Sequence, residues 1–150
     1  MSTFEVTIPV RWGDMDAYGH VNNVAMLALM EEARIALFGP PPASGEPNHE
    51  KIQAVIPLFE MMGSSVQALI AEHSVKYKAQ LPYTGEPVTV RMALEKVSAA
   101  SITLSYSFIS PKDGRECVRA STVLAFWDTR AGSLVRLTKE QRELLASYAG

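Results

Sequence analysis

The chain is 150 residues long, 47% hydrophobic, and carries a formal net charge of -2 from 14 basic and 16 acidic residues. That size suits one domain, residues 1–150, burying roughly 68–70% of the surface its unfolded chain would expose. No basic block is present to follow a nucleic-acid backbone or an anionic membrane, so neither is expected as a partner.

The longest apolar run, residues 24–30, is closed at once by Glu31, Glu32 and Arg34. A spanning helix needs about 20 apolar residues, so no transmembrane segment is expected. The lone cysteine, Cys117, leaves no internal disulfide to form, and no basic start leads into an apolar signal segment. A reducing cytoplasm is the expected location.

Along the chain, Phe4, Val6 and Ile8 alternate with Glu5 and Thr7, which predicts a strand over 4–10 with Pro9 near its end. Residues 22–38 are rich in Ala, Leu, Met and Glu, lack Gly and Pro, and stop at Gly39 before three prolines. This is the strongest predicted helix. Its first two turns are apolar all the way round, which predicts burial on every side. The 39–50 loop that follows is long enough to act as a lid over a site. Residues 51–63 are ambiguous, and 66–79 read as a long strand broken by Pro82 and Gly85.

Strict alternation returns with Val88, Val90, Met92 and Leu94, and again with Ile102, Leu104, Tyr106 and Phe108. Each is a strand with one wet face. A further strand over 117–127 follows through Pro111, Lys112, Asp113 and Gly114, a pattern suited to a hairpin turn. Thr138, with Glu140, Gln141, Leu144 and Leu145 beyond it, predicts a short capped helix on the surface. The sum is an α+β domain: an antiparallel sheet, mainly from the second half, covering one apolar helix from the first.

Residues 11–23 gather two carboxylates (Asp14, Asp16), an imidazole (His20) and two amides (Asn22, Asn23) just before that helix. A helix start carries unpartnered N–H groups and partial positive charge, so it can polarise a carbonyl while a neighbouring carboxylate activates water. The same residue types also suit plain capping and turning, with Gly13 and Gly19 bending the chain. Cys117 sits in a strand pattern without a histidine partner and reads as a small buried hydrophobe. His49 and His73 form no metal-ligand spacing with Asp14 and Asp16, and no metal site is expected. Lys76, Lys78, Arg91 and Arg119 alternate with apolar residues as on a solvated sheet face.

The run from Arg11 through Gly13, Asp14, Asp16, Gly19, His20, Val21, Asn22 and Asn23 into Glu31-Glu32-Ala33-Arg34 resembles the 4-hydroxybenzoyl-CoA thioesterase branch of the hotdog-fold enzymes. Residues 75–77 and 82–86 are similar to that family's second strand and its turn. The resemblance implies a hotdog fold and hydrolysis of an acyl-CoA to free acid and CoA. It implies Asp16 as the catalytic carboxylate, acting as general base or nucleophile, and the backbone N–H near Asn23 as the group that polarises the carbonyl. His20 takes an orienting role, because Tyr18 stands where related plant enzymes have an asparagine. Tyr18, Gly19, Val21 and Asn22 are implied as substrate-binding, some of the strand lysines and arginines as contacts to CoA phosphates, and central-helix Met and Leu side chains as an acyl channel. No cofactor is implied beyond the substrate's own CoA. Relatives dimerise with sites at the subunit junction, so a homodimer or homotetramer is expected. Two other readings stand beside this one. A hydratase of enoyl-CoA would show Asn-Pro after the Asp, which Asp16-Ala17 does not supply; a hotdog protein that binds acyl-CoA or acyl-carrier-protein cargo without turnover would keep Asp16 but release no thiol.

Overall fold

The computed structural model describes residues 2–41 and 53–150. Strand β1 (Phe4–Ile8) leads through a single 3₁₀ turn (Trp12–Asp14) to helix α1 (Ala25–Phe38). A short α2 (Leu58–Met62) precedes strands β2 (Val66–Tyr77), β3 (Val88–Val97), β4 (Ser101–Ile109), β5 (Glu116–Asp128) and β6 (Ser133–Leu134), and α3 (Lys139–Ala149) follows. The main strands run in the order β1-β3-β4-β5-β2, and β6 adds two residues to β5. Every pairing is antiparallel. This curled sheet with a helix on its inner face is a hotdog fold of the α+β class.

The alternation seen in the sequence sets the two faces of the sheet. Val90, Met92 and Leu94 on β3, with Leu104, Tyr106 and Phe108 on β4, are buried against α1, while Ser105 and Ser107 face outward. Register pairs Met92 with Tyr106 and Leu94 with Leu104, so large side chains sit side by side on the inner face. From α1 come Met26, Leu29, Met30, Ala33 and Leu37. Each of the larger ones, fully buried, contributes about 1.5–3 kcal/mol.

Two expectations change here. The helix starts at Ala25 rather than residue 22, because the Asn22 side chain accepts the Val24 N–H at 2.8 Å and holds residues 22–24 as a capping turn. Nor is it buried on every side: Val24 is 74% and Leu27 43% exposed, since one sheet covers only one side of a helix. At the far end Gly39 takes φ 75° and its N–H closes on the Ile35 carbonyl, ending α1.

Among the described residues, strand β2 is hydrogen-bonded on one edge only, to β5, with a bulge between Ile70 and Glu72. Its outer edge is open. The ambiguous 51–63 stretch supplies α2, and its residues 51 and 52, like His49 and most of the 39–50 loop, lie outside the described residues. The capping box at α3 forms as the sequence predicts, with the Thr138 hydroxyl and the Gln141 side chain each accepting the other's backbone N–H. Helix α3 is anchored by fully buried Leu145. Among the described residues, no helix is long and apolar enough to cross a membrane.

Candidate active site

The two aspartates of the 11–23 segment have different work. Asp14 is buried, and both its oxygens are taken by Arg11: the backbone N–H at 2.8 Å and the guanidinium at 3.0 Å. The hydrogen bond from the Arg11 side chain is the main reason its carboxyl titrates below the usual range. Its backbone carbonyl accepts the Asn22 N–H, so Asp14 clamps the two ends of the loop together.

Asp16 is only half-buried. Its Oδ1 accepts the backbone N–H of Tyr18 at 2.8 Å and of His20 at 3.2 Å, while Oδ2 takes no hydrogen bond among the described residues. One oxygen is therefore fixed by the turn and the other is available for chemistry. The turn closes through Asp16 N–H to the His20 carbonyl and through Gly19, whose φ of 76° few other residues adopt.

The loop is pinned to a distant part of the chain. Val21 donates to the Leu81 carbonyl at 2.8 Å and Tyr83 donates to the Gly19 carbonyl at 3.0 Å. Between these strand-like contacts and the start of α1 lies a cavity of about 300 Å³. Asp16, His20, Val21, Asn23 and Met26 form one wall; Tyr77, Lys78, Ala79, Gln80, Leu81 and Val118 form the other. Because the Val24 N–H is capped by Asn22 and Met26 donates to the Asn22 carbonyl, the Asn23 N–H is left without a partner among the described residues. It stands at the positive end of the helix.

Of the residues singled out from sequence, Asp16, His20, Val21 and Asn23 come together at this cavity, whereas Tyr18, Gly19 and Asn22 lie off its walls. Tyr18 points to solvent at 83% exposure; Gly19 and Asn22 serve the turn and the cap. His20 Nδ1 is buried with no hydrogen-bond partner among the described residues. Among the helix methionines, Met26 reaches the cavity while Met30 is core.

Sequence reasoning did not place the opposite wall. Its only local signal is the break in strand pattern between Tyr77 and Pro82, just where the chain crosses the loop. A second cavity of about 300 Å³ adjoins the first through His20, Ala79 and Gln80, and its rim carries Lys112 and Arg115 from the β4–β5 hairpin. Cys117 lines it too, with its thiol pushed up first by burial and then by the charge of Asp113. The strand cations are largely paired: Lys78 and Arg119 with Glu116, and Arg91 with Glu5.

A family model for the thioesterase-like superfamily matches residues 10–145. The chain belongs to that superfamily. Thioester hydrolysis is thus the general chemistry associated with this superfamily member. Its backbone is similar to that of the probable thioesterase YbaW from Escherichia coli, at TM-score 0.71 and 20% identity over 97% of this chain and 98% of that one. It is likewise similar to the DHNA-CoA thioesterase from Staphylococcus aureus, at TM-score 0.75 and 19% identity over 98% and 91% of the two chains. YsmA, an uncharacterized protein of Bacillus subtilis, is 26% identical over 141 residues, or 92% of this chain and 82% of YsmA.

Proposed function

We propose that this thioesterase-superfamily chain hydrolyses acyl-CoA, with Asp16 as its general base. The observation that carries the reading is the division of labour at Asp16: Oδ1 is held by two backbone N–H groups while Oδ2 is open, in a cavity shared with the unpartnered Asn23 N–H. A water beside Oδ2 gives its proton to the carboxylate as its oxygen bonds to the thioester carbon. The negative charge that develops on the carbonyl oxygen is met by the Asn23 N–H and the helix start. The C–S bond then breaks, the CoA thiolate leaves and takes up the proton, and the free acid departs. A positioned base contributes about 10²–10⁴-fold, and each oriented donor about 10²–10³-fold. No cofactor enters these steps.

Lys112 and Arg115 line the adjoining cavity and, with Asp113 offsetting one of them, leave one net positive charge there for the phosphates of CoA. In this reading the protein works as a homodimer or larger homo-oligomer. The open edge of β2 and the exposed Val24 and Leu27 of α1 support it, because a second copy would cover both.

The test is thiol release from short, long and aromatic acyl-CoAs by the parent and by Asp16→Asn, with a folding check. The expected result is release by the parent and a loss of more than roughly 10²-fold in the variant. Acyl-CoA binding with no release by either protein would replace hydrolysis with a cargo-binding role.

A further inference from the structure

A second polar group lies along α1, away from Asp16. Arg34 is eleven residues beyond Asn23, about 16 Å along a helix axis. It points inward and is only 8% exposed. Buried arginines ordinarily have a carboxylate partner. Here the guanidinium Nη1 donates to the Tyr106 hydroxyl at 3.2 Å, a neutral acceptor. The carboxylate paired with it among the described residues, Glu31, stands 3.9 Å away with its side chain 73% exposed, so water screens the interaction.

The groups around Arg34 do not neutralise it. Burial raises the Tyr106 hydroxyl above the usual phenol range, an effect only partly offset by the charge of Arg34 and by hydrogen bonds from Arg34 and Thr122. His73, hydrogen-bonded to Thr122 Oγ1 at 2.9 Å, is pushed down first by burial and then by the charge of Arg34. Neither group brings negative charge at neutral pH.

Arg34 and Glu31 line a cavity of about 390 Å³ whose other walls include Ile35, Phe38, Phe59, Ile70 and Leu124. That volume falls in the range of small-molecule sites, and such sites pair apolar walls with a few placed polar groups. Glu31 stands at the wet side of the cavity and Arg34 at its buried side, in walls otherwise mostly apolar, so the guanidinium can take a ligand with an apolar body and a single carboxylate, whose two oxygens fit its planar fork. A phosphate group matches less well, bringing more charge than one arginine balances.

We propose that this cavity binds the carboxylate of an apolar acid, with Arg34 as the anchor. Two sources supply that chemistry: the far carboxylate of an ω-carboxyacyl-CoA whose thioester lies at Asp16, or a free fatty acid. Only the first rests on the acyl-CoA thioesterase reading.

The experiment has two arms, each run on the parent, Arg34→Met, Arg34→Lys and Ala68→Phe. Ala68 also lines the cavity, and its half-buried place on edge strand β2 tolerates a larger side chain that fills the space. In the first arm decanoate is titrated calorimetrically; in the second, kcat/KM is compared for decanedioyl-CoA and decanoyl-CoA. The expected result is decanoate binding weakened about 10-fold or more by Arg34→Met and by Ala68→Phe, or a similar preference for the diacid thioester lost in both variants, with partial rescue by Arg34→Lys. Decanoate binding alone assigns the cavity to free acid; the substrate preference assigns it to the far carboxylate. Decanoate binding and substrate ratio both indifferent to Arg34 and Ala68 overturn the proposal. Arg34-dependent binding in a protein that hydrolyses no thioester would leave this site standing and remove the thioesterase reading, and Asp16-dependent hydrolysis without either signal would do the reverse.

Discussion

The Tyr77 hydroxyl, at the last residue of β2, donates to the Asn23 carbonyl across 2.9 Å. It ties the far wall of the cavity to the backbone that leads into α1. Tyr77 is half exposed, so the bond itself is worth about 0.5–1.5 kcal/mol. Its larger effect is on position, since the Asn23 N–H belongs to the residue whose carbonyl it holds. Tyr77→Phe is expected to lower kcat about 3- to 10-fold with little change in melting temperature. Steady-state thiol release beside scanning calorimetry checks this, and an unchanged kcat would show that the strand end does not position the donor.

At Asp16 the turn uses Oδ1 and the proposed chemistry uses Oδ2, so two substitutions separate them. Asn keeps an acceptor for the Tyr18 and His20 N–H groups, whereas Ala leaves both donors unanswered. Both variants are expected to lose activity alike, but Asp16→Ala is expected to be less stable than Asp16→Asn by about 1–2 kcal/mol. Urea unfolding midpoints measure the difference. Equal midpoints would mean that Oδ1 contributes nothing to the loop.

Gly19 is required by backbone conformation rather than by space. A Cβ built there meets nothing within 4 Å, yet its φ is +76°. Gly19→Ala is therefore expected to cost about 1–2 kcal/mol through the left-handed backbone alone. Because Gly19 also accepts the Tyr83 N–H, activity should fall with stability. Thermal melts and thiol release on the same preparation test both; an Ala variant as stable and active as the parent would show that the turn relaxes freely.

The strands of the second half were legible because one face of each is wet: the alternation of Val88, Val90, Met92 and Leu94 names the inner face before any coordinate is known. The 11–23 segment is equally local: its two carboxylates, imidazole and amides stand out by their crowding before a helix, and the resemblance alone selects Asp16 and Asn23 among them. What escaped was set by contacts distant in sequence. The wall from Tyr77 to Leu81 reaches the loop only through the Val21–Leu81 and Gly19–Tyr83 hydrogen bonds. Arg34 follows two glutamates in a pattern typical of a solvated helix face, and nothing in that pattern turns its guanidinium inward to Tyr106. The apolar girth of α1 predicts burial without saying what does the burying, which is why Val24 and Leu27 stand exposed against that expectation.

Acid stability should depend on Glu116. Hydrogen bonds from Lys78, then from Ser107, lower its carboxyl to about 2 from an ordinary 4.5, with Arg119 adding to the shift. A depressed folded-state value means the contribution is fully present above the unfolded value and is lost as pH falls from about 4.5 toward 2. With the side chain 22% exposed, the contribution after solvent screening is on the order of 1–2 kcal/mol. Glu116→Gln is expected to be less stable at neutral pH and to lose less on acidification through that window. Denaturant midpoints at neutral pH and near pH 3 decide it; parallel losses in both proteins would remove Glu116 as the group responsible.

Among the described residues, the open edge of β2 and the exposed Val24 and Leu27 of α1 make the proposed oligomer testable. A lone edge strand exposes unpaired N–H and C=O groups, and beside it Leu69 and Ile70 are both substantially exposed. In the proposed oligomer a second copy covers these side chains together with the exposed Leu27 of α1. Leu27→Glu places like charges there and is expected to shift sedimentation from dimer or tetramer toward monomer, with a fall in thiol release if the junction completes the site. Because Leu27 is exposed in the single chain, the substitution should leave the monomer's own melting little changed. A parent that sediments as a monomer at full activity would refute the oligomeric reading, and activity falling with dilution of the parent would support it.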